Sequence, residues 1–143
     1  MEQDLYQIVY GSVATHLFEK EELLTLLRHA RENNKRLGIT GMLLHCEGSF
    51  IQVLEGPKDQ VATLFQVIKQ DPRHHRISVF VEELVKSRAF SHWHMGFRSP
   101  SLEELAKIEG YTPYLDLGDD PRAIQNYSAV ALKLISAFKE ISD

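Results

Sequence analysis

Apolar residues recur along this chain with two periods, and the switches between them outline its elements. In "LYQIVY" (5–10) the alternation puts Tyr6, Ile8 and Tyr10 on one face, as in a strand. From about Glu19 to Asn34 the spacing changes. Leu23, Leu27, Ala30 and Asn34 follow i, i+4, i+7, i+11, a helical stripe that ends in an amide. The N-cap of this helix is not obvious, and Gly38 stands near its exit. "GITGMLLHCEGSFIQVLEG" (38–56) reads as a hairpin: Ile39 to Cys46, a turn at Glu47-Gly48, then Ser49 to Glu55. Gly56-Pro57 opens a second helix, with Pro57 suited to its first position. Val61, Leu64, Phe65 and Ile68 form its stripe, and Asp71-Pro72 ends it. "ISVFVEELV" (77–85) is predicted as a strand. "SHWHMGFR" (91–98) is predicted as another, with Trp93, Met95 and Phe97 on one face.

After Pro100 the character shifts. Ser101 can cap a helix over 101–108, with Glu103 and Glu104 in its first turn. Residues 111–121 look like loop, and 122–141 form a last amphipathic helix. The order β-α-β-β-α-β-β predicts an α+β fold, a ferredoxin-like split βαβ sheet with both helices on one face. Its connectivity places the first and third strands side by side, so Tyr10 and Gln52 face each other beneath the helices. Residues 1–98 make the main domain. Residues 99–143 are a helical extension, expected to cap the exposed sheet face or to build an oligomer.

Composition narrows the options. At 143 residues one domain with a real core is expected, and 43% hydrophobic and 25% charged residues are those of an ordinary globule. The net charge of −4 argues against nucleic-acid or anionic-membrane binding. Cys46 is the only cysteine, so there is no internal disulfide and no CxxC metal site. No stretch approaches the roughly 18 apolar residues of a membrane span, and "MEQDLYQ" lacks an apolar signal core, so a cytoplasmic location is expected.

The chemistry starts from Gln52, an amide inside the apolar run "GSFIQVLEG" (48–56) on the face of Phe50 and Leu54. With Tyr10 and Asn34 it would bring three hydrogen-bonding groups into a slot lined by Leu23, Leu26, Leu27, Leu64 and Ile68. Such a slot suits a flat heteroaromatic ligand: aliphatic chains cover the ring faces, and amides and a phenol read its edge. "KQDPRHHR" (69–76) at the mouth offers Lys69, Arg73, His74, His75 and Arg76 to a phosphate-bearing tail. Each residue also has a plainer reading. Tyr10 serves equally as a core tyrosine, Gln52 as a solvent-facing strand residue, and Asn34 as a helix terminator. Histidines 74, 75, 92 and 94 lack the cysteine or carboxylate set of a tetrahedral metal site, and "GITG" is no P-loop.

Together "LYQIVY", "NNKRLGITGMLL", "GSFIQVLEG", "QDPRHH" and "FSHWHMGF" resemble, in order and spacing, the BLUF family of blue-light sensors that use FAD. The resemblance covers roughly residues 4 to 98. It implies non-covalent FAD between the two helices. Tyr10 would then be the electron donor to the excited flavin, and Gln52 the amide bridging it to the ring. Asn34, with Asn33 beside it, would hold the carbonyl edge. Asp71 would lie near the other edge and His75 in the same loop, with Leu26 and Ile68 stacked on the ring faces. Trp93 and Met95 match a last-strand pair near the glutamine. The family's light reaction moves an electron and a proton from the tyrosine, rearranges the glutamine, and leaves a slightly red-shifted flavin that decays in darkness. Ala30 departs from the serine common one turn before the asparagine, and Gly96 occupies a variable position.

The resulting expectation is a short photoreceptor, not an enzyme, that signals to a separate partner protein and forms a homo-oligomer. The rivals are a small enzyme of the same fold, such as an acylphosphatase, and a light-insensitive flavin-binding or protein-interaction module. The former needs an arginine in the loop after the first strand, and "GSVATH" has none.

Overall fold

The computed structural model describes residues 4–46, 48–91, 93–108, 111 and 121–142. The elements follow in the order β1 (Leu5–Ala14), α1 (Lys20–Leu37), β2 (Thr40–Cys46), β3 (Ser49–Pro57), α2 (Lys58–Lys69), β4 (His74–Val85), β5 (Gly96–Arg98), α3 (Leu102–Ala106) and α4 (Pro121–Ser142). One five-stranded sheet has the order β4-β1-β3-β2-β5. β1 through β4 pair antiparallel in the split βαβ arrangement, and β5 adds to the edge of β2 in parallel. β1 lies against β3 with Tyr10 opposite Gln52.

Because side chains alternate across a strand, the sheet is sorted into two apolar faces. Ile8, Tyr10, Leu43, Phe50 and Leu54 meet Leu23 and Leu27 of α1 and Val61 and Phe65 of α2. Val9, Val13, Met42, Leu44, Ile51 and Val53 meet Leu105 of α3 and Tyr127, Ala131, Leu134 and Ile135 of α4. A sheet covered on both sides buries its strands along their whole length, and β2 and β3 are buried at nearly every position. Each aliphatic chain so buried contributes about 1.5–3 kcal/mol.

The helix ends follow local rules. α1 stops where Gly38 adopts φ 73°, a left-handed conformation that glycine reaches without a Cβ penalty, and its N–H meets the carbonyls of Asn34 and Lys35. Glu19 at its N-cap makes no side-chain cap bond. Ser101 and Glu104 close the capping box that opens α3.

Four expectations are revised. Pro57 is the last residue of β3 and the N-cap of α2, one position before the helix begins. β1 runs on to Ala14. β4 starts at His74 because its register slips opposite Val9/Tyr10 and Gly11/Val13, with Arg76 at φ 54°; such bulges break the period of 2. In the last strand only Gly96–Arg98 is extended. Before it the chain turns, Trp93 N–H bonding the Phe90 carbonyl at 3.0 Å, so Trp93 and Met95 leave the sheet on opposite faces. Glu47 of the expected hairpin turn, His92, and the expected loop between Tyr111 and Pro121 lie outside the described residues.

Candidate cofactor-binding site

Between α1, α2 and the sheet lies a cavity of about 720 Å³, the size of a cofactor or drug-sized ligand site. Its walls are aliphatic: Leu26 and Leu27 from α1, Leu64 and Ile68 from α2, Leu43 and Leu54 from the sheet. Its polar groups come from Tyr10, Gln52, Asn33 and Asn34. Asp71, Arg73 and His74 close one side.

Tyr10 and Gln52 are buried, 3% and 8% exposed. The Tyr10 hydroxyl donates to Gln52 Oε1, and Gln52 Nε2 donates to Met95 Sδ at 3.4 Å. Gln52 is thus held at both ends, by a phenol and by a weak sulfur acceptor. Burial, and to a lesser extent the nearby Asp71 carboxylate, pushes the Tyr10 phenol well above its usual 10.0, so it keeps its proton. The Phe65 ring packs 5.1 Å from the Tyr10 ring centroid.

Asn34 is buried in the last turns of α1, and its Nδ2 donates to the His94 carbonyl at 2.7 Å. One amide N–H and both lone pairs of Oδ1 remain to read a ring edge. Arg31, one turn earlier, donates to the Met95 carbonyl at 2.9 Å. Asn33 Oδ1 accepts from Arg36. Asp71 and Arg73 form a close ion pair, Arg73 Nη2 lying 2.5 Å from Asp71 Oδ2. Bonding to Arg73 holds the Asp71 carboxyl below its usual 3.8.

The cavity gathers Tyr10, Gln52, Asn33, Asn34, Leu26, Ile68, Asp71 and Arg73, with Met95 at its edge. It leaves out five other residues, Arg76 among them. Leu23 packs in the core beside it. Lys69 instead holds its ammonium 5.1 Å from the Phe65 ring centroid. His75 is exposed, and His74 takes the place expected for it. His74 Nε2 lies 2.6 Å from the Ile68 carbonyl, which only accepts, so Nε2 carries a hydrogen and donates to it; Nδ1 lies 2.8 Å from Ser12 Oγ. The bulge in β4 sets this choice, since it shifts which histidine points inward. Trp93 lies on the opposite face, 5.8 Å from Phe90 between ring centroids. Sequence reasoning missed Phe18, His29 and Arg36 in the lining. His29, Asn33 and Arg36 follow one another at spacings of four and three on the same helix, a stripe that could have pointed to both missed α1 residues. Among the described residues no group of His, Cys, Asp or Glu is arranged to hold a metal.

Two aliphatic walls with amide groups along the edge define a binder of a flat heteroaromatic cofactor. Isoalloxazine fits this donor set, and His29, Arg36 and Arg73 at the rim suit a charged tail. The family profile described as "Sensors of blue-light using FAD" matches residues 5–96, and the chain belongs to that BLUF family. It is a blue-light sensor domain that uses FAD.

Among curated relatives, the photoactivated adenylate cyclase subunit beta of Euglena gracilis is 32% identical over 91% of this chain and 18% of its own length. The blue light- and temperature-regulated antirepressor BluF of Escherichia coli is 31% identical over 78% of this chain and 28% of its own length. The chain thus spans about a fifth to a quarter of the length of these relatives. Among solved structures, the dark state of BlrB, a BLUF protein, superposes with a TM-score of 0.74 at 29% identity, covering 97% of this chain and 99% of that one. A bacterial light-regulated adenylyl cyclase matches with a TM-score of 0.66 at 25% identity, over 96% of this chain and 35% of that one.

Proposed function

We propose that Tyr10 is the electron and proton donor of the light reaction and that Gln52 is the switch it throws. The observation that carries this is the buried chain Tyr10 O–H, Gln52 amide, Met95 Sδ at the edge of the cavity. Bound FAD supplies the absorption of blue light and an acceptor for the electron and proton that leave the phenol. Tyr10 in the dark holds its proton against Gln52 Oε1. Once that proton has gone, the phenolic oxygen is acceptor only, and the amide turned end for end presents Nε2 to it. This reversal costs Gln52 only the weak contact to Met95 Sδ, and it alters the edge that Asn34 also reads. Asn34, Asn33, Leu26 and Ile68 hold the ring in this reading, and Asp71 closes its far side. The rim side chains Arg36, His29 and Arg73 receive the charged tail; of the set Lys69, Arg73, His74, His75 and Arg76 expected from sequence, Arg73 and His74 line the cavity.

The chain itself carries no reaction on a substrate in this reading. Output in this reading goes to a separate cytoplasmic partner protein, and the packing of α3 and α4 on the second face of the strands that carry Tyr10 and Gln52 supports a contact there. Val79 and Leu84, exposed on the edge strand β4, support self-association into a homo-oligomer. Absorption spectra before and after blue light test the photochemistry. A yellow protein whose bands shift red and return in darkness is expected. A yellow protein that does not respond would be the light-insensitive flavoprotein and would overturn the proposal.

A further inference from the structure

Three residues after Gln52, on the other face of β3, lies a carboxylate with no solvent exposure: Glu55. A charge buried on an apolar face is costly unless every lone pair is met, and here each oxygen is. Oε1 accepts from Thr40 Oγ1 at 3.1 Å and from the Phe90 backbone N–H at 2.5 Å. Oε2 accepts from the Ala89 backbone N–H at 2.9 Å and from Gln7 Nε2 at 3.4 Å. All four neighbours are donors, so only a group that accepts at both oxygens fits. Arg88 completes the knot: its guanidinium donates to Thr40 Oγ1 at 2.9 Å, to the Glu55 carbonyl at 3.2 Å and to the Gly38 carbonyl at 2.7 Å.

The segment tied here is the irregular stretch that leads from β4 to Met95. Further bonds hold it, including one between His94 Nδ1 and the Ile39 carbonyl at 3.2 Å. Trp93 N–H bonds the Phe90 carbonyl, and Gly41 N–H bonds the Trp93 carbonyl at 2.9 Å. Asn34 and Arg31 hold the carbonyls of His94 and Met95. We infer that Glu55 is a positioning residue for the photochemical switch: by fixing the backbone at residues 89–90 it sets Met95 Sδ against Gln52 Nε2, and so biases the orientation of the Gln52 amide. One strand then carries the switch on one face and, on the other, the anchor of the segment that reads it. This inference rests on the photochemical role given above to Gln52.

Glu55→Gln keeps shape and size but sets an amide N–H₂ against a backbone N–H. It should move the segment and loosen the Met95 contact. Methyl-labelled methionine reports this directly, since the chain has three methionines and Met42 lies buried on the α4 side of the sheet as an internal standard. In the apo protein, the Met95 methyl signal of Glu55→Gln is expected to shift or broaden while that of Met42 holds. In the FAD-loaded protein, recovery in darkness should slow by about fivefold or more, the ratio that a lost interaction of ordinary strength gives. In a Met95→Ala background the same substitution should add nothing to the recovery rate, because the effect passes through Met95. An unmoved Met95 signal, an unchanged recovery rate, or effects of Glu55→Gln and Met95→Ala that simply add would each overturn the inference. Should Glu55→Gln not fold, Thr40→Val removes one donor from Oε1 and one acceptor from Arg88. It is expected to displace the Met95 signal in the same direction, and a folded Thr40→Val with that signal in place overturns the inference. A wild type without a photocycle defeats the photochemical reading, whereas the apo methyl spectra judge the positioning of Met95 separately.

Discussion

Gln52 suits the proposed role because an amide is donor and acceptor in one rigid plane, and because both its partners are buried with it. Tyr10→Phe removes the hydroxyl and little volume. The variant should bind FAD and stay yellow, yet lose the red shift entirely; a wild-type cycle in its difference spectrum would remove Tyr10 from the donor role. Gln52→Leu keeps the packing and deletes the reversible link, so it should bind FAD and show no red shift. Asn34→Ala removes a group offered to the ring edge together with the bond that Nδ2 makes to the His94 carbonyl. It should weaken FAD retention by about 1–3 kcal/mol, the loss attached to a buried group left unpaired. Occupancy measured by absorbance after gel filtration checks this. Parity along β3 exposed Gln52 as the odd residue of its face. The same parity put Glu55 on the apolar face of Ile51 and Val53, a signal equally present in the chain, but its partners at residues 88–90 have no period to announce them.

The short strand β5 and the turn before it decide how the cavity meets the rest of the sheet. A Cβ on Gly96 would come within 2.8 Å of the Trp93 ring, so that ring packs against bare backbone. Gly96→Ala should therefore displace the indole. Trp93 is the chain's one tryptophan, and a changed emission maximum in the apo protein reports the move. The loop from α2 to β4 is held by the Asp71–Arg73 pair. Asp71 has a folded pKa below its unfolded 3.8, so the pair's contribution is present above that value and lost as pH falls through the lowered one. Acid unfolding of Asp71→Asn should lack this step, which comparison of acid midpoints by circular dichroism measures. The amphipathic helices were readable from their stripes. The last strand was not, because alternation in "SHWHMGFR" matches a strand that the Phe90–Trp93 turn and the Gly41 bond prevent.

As a whole the molecule is a sheet with two buried faces, one holding the cavity and one covered by α3 and α4. Leu134 of α4 is fully buried on the second face. Leu134→Ala should cost about 2–5 kcal/mol of stability, seen as a lower Tm, while the Tyr10–Gln52 pair across the sheet keeps its geometry. The order of elements, the ferredoxin-like sheet, the pairing of Tyr10 with Gln52 and the placement of Asn34 beside them follow from the chain's own periods of 2 and 3.6, which local sterics impose on every strand and helix. The inward turn of Met95 and the outward turn of Trp93, the choice of His74 over His75, and the closure of four donors around Glu55 are different in kind. They hang on a bulged edge strand and an aperiodic segment whose path is set by bonds from β2, β3 and α1, groups distant in the chain that meet only once the sheet has formed.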